Sequence, residues 1–380
     1  MSKIFPEHWD VFPFSDAVKD ATSDYSKLQK SDYLEQGAFP IVDQGRQHFG
    51  GYTNDESIIS CVNFPAIVFG DHTRVFKFIE EPFCLGADGA KVLEPKGELD
   101  KKFLFYYLSS LNIESAGYSR HFKFLKENVV PVPPLSEQKR ITTILDKANA
   151  IRRKRQQAIQ LADDFLRAVF LDMFGDPVTN PKRWETFALR ELIHLQGGFA
   201  FKSEDFSDTG IPVVKIGNAN KAGFTTKDIS FIQPEKPERL RQYELYPGDL
   251  LMSLTGTVGK DDYANVNEVT DNYEKYYLNQ RVAKISIRSE RLTKNYLRFF
   301  LAHPKIKSEI TKNNRGVRQA NINNGDIYDL NIPLPEHDSL VIFDNFVARS
   351  SSATKVLSQC SKSDEALFNS LSQRAFSGQL

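Results

Sequence analysis

The chain is written twice. Pro6-Glu-His-Trp9-Asp-Val-Phe12 lines up with Pro181-Lys-Arg-Trp184-Glu-Thr-Phe187 at an offset of 175, and these two tryptophans are the only ones present. Pro131-Val-Pro133 lines up with Pro333-Leu-Pro335 at an offset of 202, which then runs without a gap to Phe174 and Phe376. A period this long is no solenoid. It describes one globular region followed by a C-terminal segment, present in two copies. Duplication fits a length of 380 residues, which holds two or three domains at roughly 100–200 residues each.

Both C-terminal segments carry a heptad. In the first, Ile141, Ile144, Ala148, Ile151, Ala158, Ala162, Phe165 and Val169 recur on one face. In the second, Phe343, Phe346, Ser350, Ala353, Cys360, Leu367 and Leu371 do so. A seam held over about four heptads predicts long coiled-coil helices, on the order of 50–60 Å each at ~1.5 Å per residue. Pro131–Pro134 and Pro333–Pro335 set their starts, Ser136-Glu-Gln-Lys139 offers a capping signal, and Gly175 and Gly378 offer stops. Arg155 and Asp364 fall on the seams. Either they face solvent at a local break, or the helices pack antiparallel and the pair helps fix register.

Before each closing Pro-x-Pro lies a helix-like stretch, Phe103–Leu108 and Tyr296–Leu301. Short strand-like runs stand at Ala66–Phe69, Val75–Phe78, Ile211–Val214 and Val282–Ile287. The expected fold class is therefore α+β. Two mixed α/β domains, 1–135 and 177–335, are joined by two long antiparallel helices, 136–176 and 336–380, as a pseudo-two-fold repeat.

No catalytic constellation emerges. Ser253-Leu-Thr-Gly256-Thr-Val-Gly259-Lys260 imitates a phosphate loop, but its glycine spacing is too short and Asp261 stands where Ser or Thr should bind magnesium. Asp88 with Glu94-Pro-Lys96 has the residue types of a metal-dependent nuclease, yet Pro95 interrupts the strand that would present them. Asn63-Phe-Pro65-Ala lacks the second proline and the aromatic of an amino-methyltransferase loop. The seven histidines show no metal spacing. Three scattered cysteines exclude a disulfide scaffold or a CxxC site. No run of ~18 apolar residues predicts a membrane span, so a cytoplasmic protein is expected.

Lys+Arg and Asp+Glu both number 49, a balance that argues against a nucleic-acid binder. The local pattern argues the other way. Basic stretches stand ahead of each final strand: Arg120 and Lys123 in the first copy; Arg315, Arg318 and Asn321 in the second. Arg46, His48, Arg74, Lys202, Lys215 and Arg281 lie in polar, turn-rich segments. Arg and Lys can bind guanine edges or phosphates, and Asn can read adenine. A solvated loop is the alternative for the two basic stretches, and solvent exposure or a structural hydrogen bond is the alternative for the other six. Arg152-Arg-Lys-Arg155 reads as the wet face of a helix, with a partner or phosphate contact as the alternative.

Three stretches resemble a known family, the specificity subunits of type I restriction–modification systems. Pro131-Val-Pro-Pro-Leu-Ser-Glu-Gln138 opens a long helix as in that family. Tyr52-Thr-Asn54, Val68-Phe-Gly-Asp-His-Thr-Arg74 and Phe83 with Gly86-Ala-Asp-Gly89 resemble its first target recognition domain. Gly197-Gly-Phe-Ala-Phe-Lys-Ser203, Gly210-Ile-Pro-Val-Val-Lys-Ile-Gly217 and Pro247-Gly-Asp-Leu-Leu-Met-Ser253 resemble its second. The second Pro-x-Pro segment departs from the pattern, with Glu336-His-Asp-Ser in place of Ser-Glu-Gln-Lys.

The resemblance implies a non-catalytic subunit whose two domains each read half of a split double-stranded DNA site. Its helices would set the gap and dock two DNA methyltransferase subunits, and two motor–nuclease subunits can join. S-adenosylmethionine, ATP and Mg2+ would belong to those partners, with no cofactor or metal in this chain. A stand-alone DNA-binding scaffold or regulator is the competing reading. An autonomous nuclease–methyltransferase would need motifs that the sequence lacks.

Overall fold

The computed structural model describes residues 5–60, 64–115, 117, 119–258, 261–312 and 319–380. The chain divides into two compact units, Met1–Ala158 with Leu357–Leu380, and Ile159–Val356. Each unit therefore takes a globular region together with half of each long helix.

In the first unit, strand Ala66–Gly70 is buried along its whole length, as an apolar run in the middle of a sheet should be. It sits in the antiparallel order Val18–Asp20, Ala90–Pro95, Ala66–Gly70, Phe76–Ile79. A second sheet runs Lys27–Leu28, Cys84–Gly86, Phe39–Val42, Gly51–Thr53, with Cys84–Gly86 parallel to both neighbours. Helix Lys101–Ser109 starts where the Asp100 carboxylate accepts the Phe103 N–H at 2.8 Å. It buries Phe103, Leu104, Tyr106, Tyr107 and Leu108 in the core.

The second unit repeats this plan. Ile193–Gly197, Val282–Ile287, Leu250–Ser253 and Val266–Glu268 form the antiparallel sheet. Ile211–Val214 lies parallel to Tyr276–Leu278 in the other sheet. Helix Lys294–Ala302 matches Lys101–Ser109 position for position. Strand Asp10–Pro13 pairs with Val129–Val132 starting Asp10↔Val132, and Glu185–Ala188 pairs with Asn331–Leu334 starting Glu185↔Leu334. These are the same pairing at the offsets read from the sequence. One edge differs: Lys27–Leu28 precedes the rest of its sheet in the chain and pairs parallel, whereas Glu244–Leu245 falls between Ser230–Ile232 and Tyr276–Leu278 and pairs antiparallel.

The long helices span Leu135–Phe174 and His337–Ala375. Their apolar seam needs correcting at every second position. Ile151 and Phe165 are exposed on the first helix and Phe346 and Leu367 on the second, while Ile144 is only half-buried. Ile141 and Phe343 are buried, and Val169 and Leu371 pack against the cores. The seam runs instead through Leu145, Ala148, Arg152, Arg155, Ile159, Ala162, Leu166 and Val169. Every alternate site lies one residue later than apolar character alone suggests.

Arg152 explains the shift, because a basic residue occupies a packing position. Its guanidinium lies 4.7 Å from the Phe368 ring centroid, and its stem covers apolar surface. Arg155 pairs with Asp364. Within the first unit, 152 meets 368 and 155 meets 364, so the helix segments run antiparallel. In the second unit, the Phe170 and Phe174 rings lie 5.7 and 5.3 Å from the Phe343 ring.

Ser136–Lys139 does not cap the first helix. The Glu137 carboxylate accepts the Trp9 indole N–H at 2.9 Å and meets His8 Nε2 at 3.0 Å. Gln138, fully buried, accepts the Asp100 N–H and donates to the Pro133 and Glu98 carbonyls. In the departing second copy, Leu340 stands buried where Gln138 does, and Trp184 donates to the Phe174 carbonyl instead. Gly175 ends the first helix at φ 80°, in the left-handed region, and a Cβ there would meet Pro181 at 2.6 Å. No helix among the described residues is long and apolar enough to cross a membrane.

Candidate nucleic-acid interface

The exposed candidates converge on one construction, built once in each unit. In the first, the Asp71 N–H donates to the Gly89 carbonyl at 2.7 Å, and the His121 N–H donates to the Asp71 carbonyl at 3.1 Å. In the second, the Leu254 N–H donates to the Arg281 carbonyl at 3.0 Å, and the Ile322 N–H donates to the Leu254 carbonyl at 2.8 Å. Three segments distant in sequence are thus tied at matching points of the two sheets.

In the first unit a fourth loop joins them. The Thr73 hydroxyl donates to the Gln44 carbonyl at 2.5 Å, and Gln44 Oε1 accepts the His72 N–H at 3.3 Å. Gly89 has φ 66°, in the left-handed region that favours glycine, and a Cβ there would displace the Gln44 amide, 2.3 Å away. Buried Lys77 braces the loop from below by donating to the Asp43 carbonyl at 2.8 Å. Buried Asp71 accepts the Phe122 N–H at 2.7 Å. On this braced platform Arg46, Gln47, His48, His72, Arg120 and Lys123 are exposed. The His48 ring lies 4.5 Å from Phe49; desolvation, then the cations Arg153 and Lys77, hold its imidazole toward the neutral form. It can therefore both donate and accept a hydrogen bond.

Arg74 does not belong with them. It sits at φ 62° with Nη1 donating to the Ile113 carbonyl at 2.7 Å and Nε buried, so its guanidinium holds the loop together rather than reaching outward.

In the second unit Arg281 and Asn321 are exposed, with Gln280 and Gln319 beside them. Asn321 pairs with Thr255 in a two-stranded ribbon, Thr255–Thr257 with Gln319–Asn321. Phe199 donates its N–H to the Leu278 carbonyl and accepts the Gln280 N–H, which adds the 198–202 loop to the junction. Lys202 is exposed there, 3.3 Å from Glu204. Lys215 is the other correction. Its ammonium lies 3.5 Å from the Phe206 ring centroid and donates to the Ser230 hydroxyl at 2.8 Å, and burial lowers its pKa. Arg315 and Arg318 lie outside the described residues.

The residue missed in the sequence is a hydroxyl, Thr257, in the ribbon Thr255–Thr257. The signal available was Gly256, where a Cβ would meet Asp262 at 2.3 Å and which therefore marks a tight ribbon. A braced platform carrying cations, amides and a neutral imidazole can bind phosphates and hydrogen-bond base edges.

The family model described as the type I restriction modification DNA specificity domain matches residues 6–161 and 181–351, once in each copy of the repeat. The type I restriction enzyme MjaVIII specificity subunit of Methanocaldococcus jannaschii is 24% identical over 357 residues, covering 87% of this chain and 83% of that protein. The EcoBI specificity subunit of Escherichia coli is 20% identical over 342 residues, covering 79% and 70%. The crystal structure of a type I restriction–modification S subunit from M. genitalium shares the fold. Its TM-score is 0.53 at 13% identity, over 97% of this chain and 96% of that one. With both halves of its duplication matched and no catalytic role in that family, the chain belongs to the DNA specificity subunits of type I restriction–modification systems.

Proposed function

We propose that each unit reads one half of a split double-stranded DNA site through its junction loops, and that the long helices set the spacer and dock methyltransferase subunits. The observation that carries this is the junction itself. The same hydrogen-bonded meeting of three segments is built twice, and each time basic and amide-bearing side chains are exposed around it. Two equivalent readers in one chain fit a bipartite site, as half-site geometry follows protein symmetry in dimeric DNA readers.

In this reading, specificity comes from Arg46, His48, Arg120 and Lys123 for one half-site, and from Lys202, Arg281 and Asn321 for the other. Two adenine methyltransferase subunits do the chemistry, and two motor–nuclease subunits join for restriction. No group of three His, Cys, Asp or Glu side chains among the described residues could hold a metal. The reading assigns Mg2+, ATP and S-adenosylmethionine to the partner subunits. A balanced net charge suits a subunit whose partners share the phosphate grip.

The test is methylome sequencing of cells that express the chain with its methyltransferase, before and after residues 1–135 are exchanged for another recognition domain. One half of a bipartite motif should change and the other persist. A contiguous motif, or a change in both halves, would overturn the proposal.

A further inference from the structure

The duplication supplies an internal control for one unusual place in the second unit. Helix Lys294–Ala302 matches Lys101–Ser109 residue for residue, so Arg298 occupies the position of Phe105. Strand register makes Glu268, opposite Leu250, the equivalent of Phe78, opposite Ile67. In the first unit this position is a ring contact, Phe78 to Phe105 at 5.2 Å between centroids. In the second it is a guanidinium and a carboxylate, and a cleft of about 560 Å³ opens beside them.

Arg298 is poorly satisfied. Its side chain is only 26% exposed, and its nearest acid, Glu268, lies 3.9 Å away. Glu268 is already engaged by the Lys294 ammonium at 2.7 Å. Arg298 has no hydrogen bond among the described residues, and its guanidinium lies 5.2 Å from the Phe299 ring centroid. Burying a cation without close partners is costly, and the duplicate shows that the fold does not demand it. Two further groups point the same way. His303 Nδ1 is buried in the cleft wall with no protein partner among the described residues. Burial raises the pKa of Asp163, the acid facing Arg298, toward its neutral form.

The rest of the wall combines apolar and aromatic residues, among them Phe170, Phe224 and Val266, with the cations Arg167 and Lys221 and the polar Asn267 and Thr270. A cleft of a few hundred Å³ that joins aromatic and apolar walls to convergent polar groups is the form of a small-molecule site.

We infer that this cleft binds a small aromatic anion, with its carboxylate or phosphate on the Arg298 guanidinium and its ring between the aromatic walls. Arg298 offers the planar donor fork that carboxylates and phosphates accept in pairs. Asp163, Phe170 and Leu171 of the long helix share the cleft with Arg298 of the globular region. An occupant therefore bridges two elements of the second unit and stabilises it by mass action.

The test uses the full chain without DNA, so its outcome is independent of the DNA-reading proposal. Phenyl phosphate, benzoate and the uncharged benzyl alcohol are titrated by calorimetry and by thermal denaturation. Both anions should bind one to one and raise the midpoint, with benzyl alcohol at least tenfold weaker. Arg298→Met, which keeps the stem and removes the charge, should lose at least tenfold in anion affinity. Arg298→Lys should fall between it and the parent, and this variant keeps the test open if the methionine variant folds poorly. The inference is overturned if the anions do not bind saturably at millimolar concentration, if benzyl alcohol binds as well, or if both Arg298 variants bind the anions as the parent does.

Discussion

Arg155 pairs with Asp364 across 209 positions of sequence, with side chains only 25% and 17% exposed. Partial burial of both ions makes the pair costly to break singly. Reversing one charge, Arg155→Asp or Asp364→Arg, sets two like charges side by side and should destabilise the chain by about 3–5 kcal/mol, the cost of breaking a buried pair. The double reversal should recover much of that, with a coupling on the order of 0.5–3 kcal/mol. Urea unfolding of the four proteins measures it. Additive losses would mean that the pair does not set the register of these helices.

That pair also shows where sequence reading succeeded and where it stopped. The 3-4 spacing of apolar residues located both helices, and the positions shared by every reading, Ile141, Ala148, Ala162 and Val169, do face inward or lie half-buried. The alternate positions were misplaced because Ile151 and Phe165 are apolar while Arg152 is charged. Hydropathy cannot register that an arginine stem over the Phe368 ring packs well. The interface was legible in part for a related reason. Exposed Arg46 and Arg120 were found by charge, but so were Arg74 and Lys215, which spend their charges on the Ile113 carbonyl and the Ser230 hydroxyl. A basic side chain that braces a loop and one that reaches outward look alike until their partners are known. The offsets of the repeat were readable to the residue, since the Pro, Trp and Phe markers lie beside or within the strand pairs Asp10–Pro13 with Val129–Val132 and Glu185–Ala188 with Asn331–Leu334, but the pairing itself was not.

Glu137 should report on the docking of the N-terminal segment. Its carboxylate holds the Trp9 indole at 2.9 Å and His8 at 3.0 Å. Glu137→Ala leaves the mostly buried indole N–H without this acceptor and should cost about 1–3 kcal/mol. Trp184 is bonded to a main-chain carbonyl, which the substitution does not touch. A change in tryptophan emission should therefore come from Trp9 alone, and Trp9→Phe should abolish it. Unchanged emission in Glu137→Ala would show that the contact does not persist in solution.

Acid should loosen the second unit through Asp176. Its carboxylate takes the Lys305 ammonium at 2.6 Å and accepts the Val178 and Thr179 N–H groups. The Lys305 contact first, then these hydrogen bonds, lower its pKa from 3.8 to about 2. A lowered folded-state pKa gives stability that is present in full above the ordinary carboxylate range and lost as pH falls through about 2. The parent should therefore melt above Asp176→Asn at pH 6, and the gap should close between about pH 4 and pH 2. A gap that stays constant over that range would remove Asp176 from the acid response.

The sharpest separation lies between two arginines of one platform. Arg120 is exposed beside the junction, whereas Arg74 is bound to the Ile113 carbonyl from a left-handed backbone. If Arg120 reads a base, Arg120→Ala should relax a single position of one half-site, at a binding cost of about 1–3 kcal/mol, with the melting temperature unchanged. Arg74→Ala should do the opposite, lowering the melting temperature while the methylated motif stays the same. Methylome sequencing and thermal denaturation of both variants decide it. A motif altered by Arg74→Ala without loss of stability would return that residue to the reading surface, and an unaltered motif in Arg120→Ala would take Arg120 off it.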